Sequence, residues 1–418
     1  MNTRHPDKKK SVRALAWEGL QRWSRGGIFA ETIVSRAAQQ YALSHADRAM
    51  LQAIVYDTIR QLSWLDHLRL RLRPGKLEDP LRWLVLMGLC QLFVMHQAEH
   101  AAVCETVALA PKRARGVVNG ILRNAIRRRA EFERELPTLP PALRYSCPQW
   151  LADRWIRDFG EETACAVMEW NMLQSPLCAH VNPQNPPQSI PADWEPLPHA
   201  PGWFRIAGPV PQEAVKAGHI YMADPSTRYC VEFLAPQPGE RVLDACAAPG
   251  GKSVAMLYAT AGKLDLLATD AQEHRLPALR ENLQRAAGHA VPVEAFDWTR
   301  PCPEKWRGAF DAVLLDVPCS NTGVLQRRVD ARWRLSGEEI TRLAALQRQI
   351  LENACAAVRA GGRLVYSTCS IDAEEDAAVV QAFLAAHPEF SLQKENLALP
   401  HLEHADGSYA ALLVHRPA

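Results

Sequence analysis

Two cysteines and four aspartates hold the chemistry that this sequence offers. Cys319 stands in Leu315-Asp316-Val317-Pro318-Cys319-Ser320 and Cys369 in Tyr366-Ser367-Thr368-Cys369-Ser370, each next to hydroxyl side chains just past an apolar, strand-like run. A lone cysteine is most often a small buried hydrophobe. Two of them at matching places, past strands that also carry acids, read instead as a pair of soft nucleophiles. Four strand-like runs, Val242–Asp244, Leu264–Asp270, Val291–Asp297 and Ala312–Asp316, each close on an aspartate. Ligands of parallel sheets sit beyond the carboxyl ends of the strands, so Asp244, Asp270, Asp297 and Asp316 are expected to converge on one crevice.

The first of these strands leads into Arg241–Ser253, RVLDACAAPGGKS, where small residues and two glycines let the backbone pass close to a ligand. A turn from strand into helix leaves free N–H groups and a positive dipole end there. The G-x-G-x-x-G signature of dinucleotide binding is absent. A nucleoside cofactor lacking a pyrophosphate fits better, and S-adenosylmethionine is the candidate. Asp270 is then placed for ribose hydroxyls and Asp297 for an adenine amino group, unless both merely cap strand ends. A thiol beside such a cofactor suits one reaction well. Carbon 5 of cytosine becomes nucleophilic only after something adds at carbon 6, and a thiolate can do so. Asp316 would stabilise charge near ring nitrogen 3, and a second thiol could assist removal of the carbon 5 proton and expulsion of the first.

The elements that must position these groups follow from the pattern of the chain. From Pro238 onward, strand-like runs, with a fifth at Arg363–Ser367, alternate with helical stretches at Lys252–Ala261, Gln272–Ala287, Gly337–Val358 and Asp372–His387. That alternation predicts a parallel sheet covered by helices, ended by a hairpin of Phe390–Leu392 and Tyr409–His415. Residues 11–135 show helical periodicity only, and Leu81–Met95 is apolar almost all round, the mark of a central helix. Leu136–Pro141 reads as a linker. Between lie helical stretches at Trp150–Phe159 and Glu161–Met172 and short strands at Leu177–Val181, Trp203–Ile206 and His219–Met222, with an irregular loop over Asn182–Pro201. The fold class expected is multidomain. It comprises an all-α domain over 1–135, a small α+β domain over 142–225 and an α/β Rossmann-like domain over 226–418.

At 418 residues, 48% hydrophobic and 22% charged, the composition is that of a soluble globular chain, and its net charge of +2 conceals a division. Residues 1–135 hold 23 Lys and Arg against 13 Asp and Glu, while the remainder is acidic. A basic module joined to an acidic one suggests a polyanion partner. No apolar run is long enough to span a membrane. MNTRHPDKKK lacks an apolar leader, and the eleven cysteines include no C-x-x-C pair. A cytoplasmic location without disulfides or metal is therefore expected.

Taken together, DACAAPGGKS, DVPCS and STCS resemble the RNA cytosine-5 methyltransferases of the NOL1/NOP2/Sun family, and the basic helical third resembles the NusB-like RNA-binding domain carried by its bacterial 16S ribosomal RNA branch. The resemblance implies that Cys369 is the nucleophile, that Cys319 assists release, and that Asp316 acts beside them. It implies a cofactor segment of Cys246, Ala247, Ala248, Pro249, Gly250, Gly251 and Lys252, joined by Asp270, Asp297 and Asp316. The implied partner is 16S ribosomal RNA before full subunit assembly, met by a monomer. Alternatives are another RNA as substrate, a DNA cytosine methyltransferase, and a non-catalytic RNA-binding protein with a vestigial sheet domain. The chain departs from the family at Val317, where alanine is usual, at His180, where arginine is usual, and after Gly407, where Ser408 precedes the aromatic.

Overall fold

A computed structural model describes residues 10–417; the stretch MNTRHPDKKK, and the expectation that rests on it, falls largely outside them. The chain divides into two compact units, one reaching to Leu173 and including Arg328–Arg334, the other comprising Gln174–Arg327 and the chain from Leu335 onward.

The first unit is helical, as its periodicity predicts. Helices Val12–Ser24 and Leu62–Leu72 stop just before the Gly26-Gly27 and Pro74-Gly75 breaks. Helix Asp79–Phe93 buries every residue from Trp83 to Phe93, which places it at the centre of the bundle. Leu136–Pro141 is less of a linker than its prolines suggest, since a short 3-10 turn at Leu136–Thr138 leads almost directly into helix Pro141–Arg144. Helices Gln149–Phe159 and Glu161–Trp170 belong to this unit rather than to a small domain over 142–225. The segment 328–334 belongs here as well. Val329 is fully buried in the helical core, and Asp330 Oδ2 accepts from the backbone N–H of Ala30 at 2.9 Å. That bond caps helix Ala30–Gln40, whose own N-cap residue, Phe29, has no side-chain acceptor.

The second unit holds two sheets. The smaller contains β1 (Leu177–Val181), β2 (Trp194–Pro196), β3 (Trp203–Ile206) and β4 (Ile220–Met222) in the order β2-β3-β1-β4. Strand β2 lies inside the stretch expected to be an irregular loop. The larger contains β5 (Arg241–Asp244), β6 (Asp265–Asp270), β7 (Val293–Ala295), β8 (Phe310–Asp316), β9 (Val358–Thr368), β10 (Phe390–Ala398) and β11 (Ser408–His415). Their order is β10-β11-β9-β8-β5-β6-β7, the five strands from β9 to β7 running parallel and β10 and β11 antiparallel. This is the Rossmann-like sheet expected, and its order reverses at β5, where β6 and β8 flank it.

Both faces of this sheet are covered, so its strands read as continuous apolar runs rather than alternating ones. Val242, Ala312, Leu314 and Val365 enter the core on one face. Leu243, Val313, Leu315, Leu364 and Tyr366 enter the core on the other. Val317 is 3% exposed within that second core, which an aliphatic larger than alanine fills. The helix expected over Asp372–His387 starts only at Ala377, because the acidic side chains before it bond inward, as described below.

His180 on β1 packs flat against Trp203, with ring centroids 4.5 Å apart, and edge-on to Tyr258 at 5.0 Å. Burial lowers its pKa from 6.5 to about 4, so the ring is a neutral packing element and not a cationic contact. The unfolded chain then binds more protons than the folded one as pH falls from 6.5 towards 4, and stability drops across that window by at most about 3 kcal/mol. His180→Phe should remove this loss: the fall in melting temperature between pH 7 and pH 4.5 should be smaller than in wild type. An equal fall in both proteins would show that His180 takes up its proton without penalty.

Candidate active site

Parallel pairing of β8 with β9 sets Leu315 opposite Tyr366 and Asp316 opposite Ser367. The two strands end level, and the loops that leave them carry Cys319 and Cys369 to the same place. Their Sγ atoms are 3.0 Å apart. Cys369 donates its S–H to Asn321 Oδ1 at 3.3 Å, and Asn321 Nδ2 donates to the carbonyl of Cys319 at 2.8 Å. The hydrogen shared with Cys369, reinforced by burial, holds the Cys319 thiol well above its ordinary pKa. Both cysteine residues are half-buried.

Under the two loops lies a buried polar scaffold. Glu375 accepts from the Ser320 backbone N–H at 2.9 Å and from the Ser320 hydroxyl. Gln347, on helix Gly337–Ala354, donates to Glu375 at 2.9 Å and to the Pro318 carbonyl at 3.0 Å. Thr322 donates to Asp372 at 2.6 Å, and Thr368 donates to Asp376 at 2.6 Å. Burial raises the pKa of both Glu375 and Asp376 despite these donors. Gly323 closes the arrangement: a Cβ there would stand 2.4 Å from the Gly407 carbonyl oxygen, so no other residue fits. None of these acids figured in the sequence reading. The run Asp372-Ala373-Glu374-Glu375-Asp376, directly after the second cysteine box and without a basic neighbour, was the available signal.

Beside the thiols, Lys252 Nζ lies 2.7 Å from Asp316 Oδ2. Burial alone would lower the lysine's pKa, but the Asp316 carboxylate overrides it and holds the ammonium above its ordinary value. Lys252, Ser367, Thr368 and Cys369 share a small cavity with Asp224, Cys230 and Tyr409. One wall is braced by Arg327, which donates to Asp224 at 2.6 Å and Asp406 at 2.8 Å.

The remaining predicted residues line the carboxyl ends of β5, β6 and β7. Asp244 is buried, accepts from Ser253 Oγ at 2.5 Å and leaves Oδ1 without a partner among the described residues. Burial, reinforced by Asp316, pushes its pKa to about 7. Asp270 accepts from the backbone N–H groups of Ala248 at 3.0 Å and Gln272 at 2.9 Å, so it holds the Ala247–Pro249 turn whatever else it binds. Asp297 stands two residues past the end of β7 and accepts from Thr299 N at 2.9 Å and Thr299 Oγ1 at 2.8 Å. Gly250, with φ of +113°, turns the chain into helix Gly251–Ala259 in a conformation that L-residues avoid. The thiol of Cys246 is pushed well above its ordinary pKa by burial and the surrounding carboxylates. Among the described residues, no group of His, Cys, Asp and Glu is assembled to hold a metal, and no helix is long and apolar enough to cross a membrane.

Thiols this close should couple under mild oxidation. Diamide should join Cys319 to Cys369, blocking alkylation of both, and dithiothreitol should restore it. Two thiols still open to alkylation after that treatment would contradict the approach described.

Comparison with known proteins places this geometry in a family. The family described as 16S rRNA methyltransferase RsmB/F matches residues 231–414, and the NusB family matches residues 10–127. Ribosomal RNA small subunit methyltransferase B of Citrobacter koseri is 34% identical, over 97% of this chain and 99% of its own. The protein of the same name from Shigella sonnei is 33% identical over the same shares. The crystal structure of PH0851 superposes with a TM-score of 0.76 at 23% identity, covering 98% of this chain and 100% of that one, so the fold is shared throughout. This chain belongs to the ribosomal RNA small subunit methyltransferase B family of 16S rRNA methyltransferases.

Proposed function

We propose that this protein methylates carbon 5 of a cytosine in 16S ribosomal RNA, using S-adenosylmethionine and a transient bond between Cys369 and carbon 6 of the base. The observation that carries the reading is the pair of thiols 3.0 Å apart beside an ion-paired Lys252 and Asp316. Transfer to a base nitrogen or a ribose hydroxyl needs no thiol; transfer to a pyrimidine carbon does.

The residues present fit the cofactor. Asp244 offers a buried carboxylate oxygen with no partner among the described residues. Gly250 and Gly251 keep the helix start free of side chains, and Asp270 and Asp297 retain acceptor capacity beside it. When bound, S-adenosylmethionine supplies an electrophilic methyl group on a sulfonium.

The chain's own groups account for the rest. Cys369 gives up its proton to water as its sulfur bonds to carbon 6; the carbon 5–carbon 6 π pair shifts towards carbon 4, and nitrogen 3 takes a proton from the Lys252–Asp316 pair. Carbon 5 is then an enamine carbon able to accept the methyl group. Once Cys369 is bonded to the base, it no longer shares a hydrogen with Cys319, which removes the largest cause of that thiol's raised pKa. Cys319 can then lose its proton to water and, as thiolate, take the carbon 5 proton. The released pair re-forms the double bond and expels Cys369 as thiolate, which takes a proton back from water, while the proton on nitrogen 3 returns to the pair; one proton is released overall. The basic helical unit grips RNA phosphates, and the target base must leave its stack to reach the thiols.

Incubation with 16S rRNA and methyl-labelled S-adenosylmethionine should place the label in 5-methylcytidine; label in any other nucleoside would overturn the reading. The two thiols should also separate. Cys319→Ala should accumulate a protein–RNA complex that survives denaturation, whereas Cys369→Ala and the double variant should give neither complex nor product. A complex trapped by Cys369→Ala and absent in Cys319→Ala would exchange the two roles.

A further inference from the structure

The Asn321 side chain bonds with both cysteine loops, and its position is unusual. Its φ of +64° is left-handed, a conformation that asparagine tolerates better than most residues, so a turn-forming role alone would account for its identity. The amide does more than the turn requires. Nδ2 donates to the Cys319 carbonyl at 2.8 Å, which fixes the orientation of the group, because the flipped amide would set two oxygens against each other. Oδ1 is thereby directed at Cys369 Sγ, 3.3 Å away, as an acceptor. An acceptor at this place holds the S–H and so fixes the direction of the sulfur.

We propose that Asn321 is a positioning residue that tethers the Cys369 sulfur until a base is seated, so that the nucleophile is restrained at rest. The proposal rests on the reading of Cys369 as nucleophile, but it concerns the resting thiol and can be tested without RNA. The Cys319 carbonyl holds the amide, the amide holds the Cys369 proton, and the Cys319 thiol completes the group from the other side at 3.0 Å. Displacement of this arrangement by an entering base would free the Cys369 sulfur to turn towards carbon 6.

Two substitutions separate this role from turn formation. Asn321→Gly keeps the left-handed backbone and deletes the amide. Asn321→Asp keeps the shape and replaces the amide with a carboxylate. Iodoacetamide alkylation of Cys369 is followed against pH by mass spectrometry in the full-length protein; Cys319 and Cys369 lie on separate tryptic fragments. Asn321→Gly should alkylate Cys369 several-fold faster than wild type across the pH range. Asn321→Asp, which still offers an oxygen acceptor, should alkylate it no faster than wild type. A glycine variant that alkylates Cys369 at the wild-type rate or more slowly would overturn the proposal and leave Asn321 as a turn residue. Failure of the underlying reading would appear elsewhere, as absence of a Cys369-dependent RNA adduct.

Discussion

The structure of the site depends on the register between β8 and β9. Because Asp316 pairs with Ser367, the two strands deliver their loops at one height, and two thiols 50 residues apart in sequence come within 3.0 Å. A shift of one residue would turn every side chain of a strand to the opposite face of the sheet. Here that would exchange Leu364 and Tyr366 with Val365 between two packed cores, so the register is fixed by apolar burial on both faces. The chemistry thus inherits its precision from packing that takes no part in it.

Burial also explains why the loops stay in place. A carboxylate removed from water must be satisfied by donors or pay a large desolvation cost. Glu375 is satisfied by Ser320 and Gln347, which fastens the Cys319 loop to helix Gly337–Ala354. On the Cys369 side Thr322 donates to Asp372, and Thr368 donates to one oxygen of Asp376. Partial loss of such a network is worse than its absence, since each partner left behind is stranded in a medium of low dielectric. Lys252 and Asp316 follow the same logic with the added feature that the pair holds a proton close to the thiols.

Much of this was legible in the sequence, and the division is physical. Strand-end acids, the two cysteine boxes and the glycine turn are local patterns, and Asp244, Asp270 and Asp316 do end their strands. Asp297 falls past its strand because β7 is only three residues long. What escaped was non-local. Helical periodicity cannot show that Asp372, Glu375 and Asp376 bond inward to hydroxyls and amides of another loop, which delays the helix to Ala377. Nor could it show that Asp330 caps a helix 300 residues earlier, or that Asn321 bridges two boxes. Each of these contacts joins positions whose proximity exists only once the sheet has formed.

The central claim, that Cys369 bonds to carbon 6 of cytosine during transfer to carbon 5, is tested most directly with RNA in which cytidine is replaced by 5-fluorocytidine. Fluorine at carbon 5 cannot leave as a proton does, so the wild-type protein should arrest after methyl transfer. The account predicts a denaturation-resistant complex that requires S-adenosylmethionine, with the modified nucleotide attached to the peptide carrying Cys369. Attachment at Cys319, or turnover of the fluorinated RNA without any complex, would contradict it.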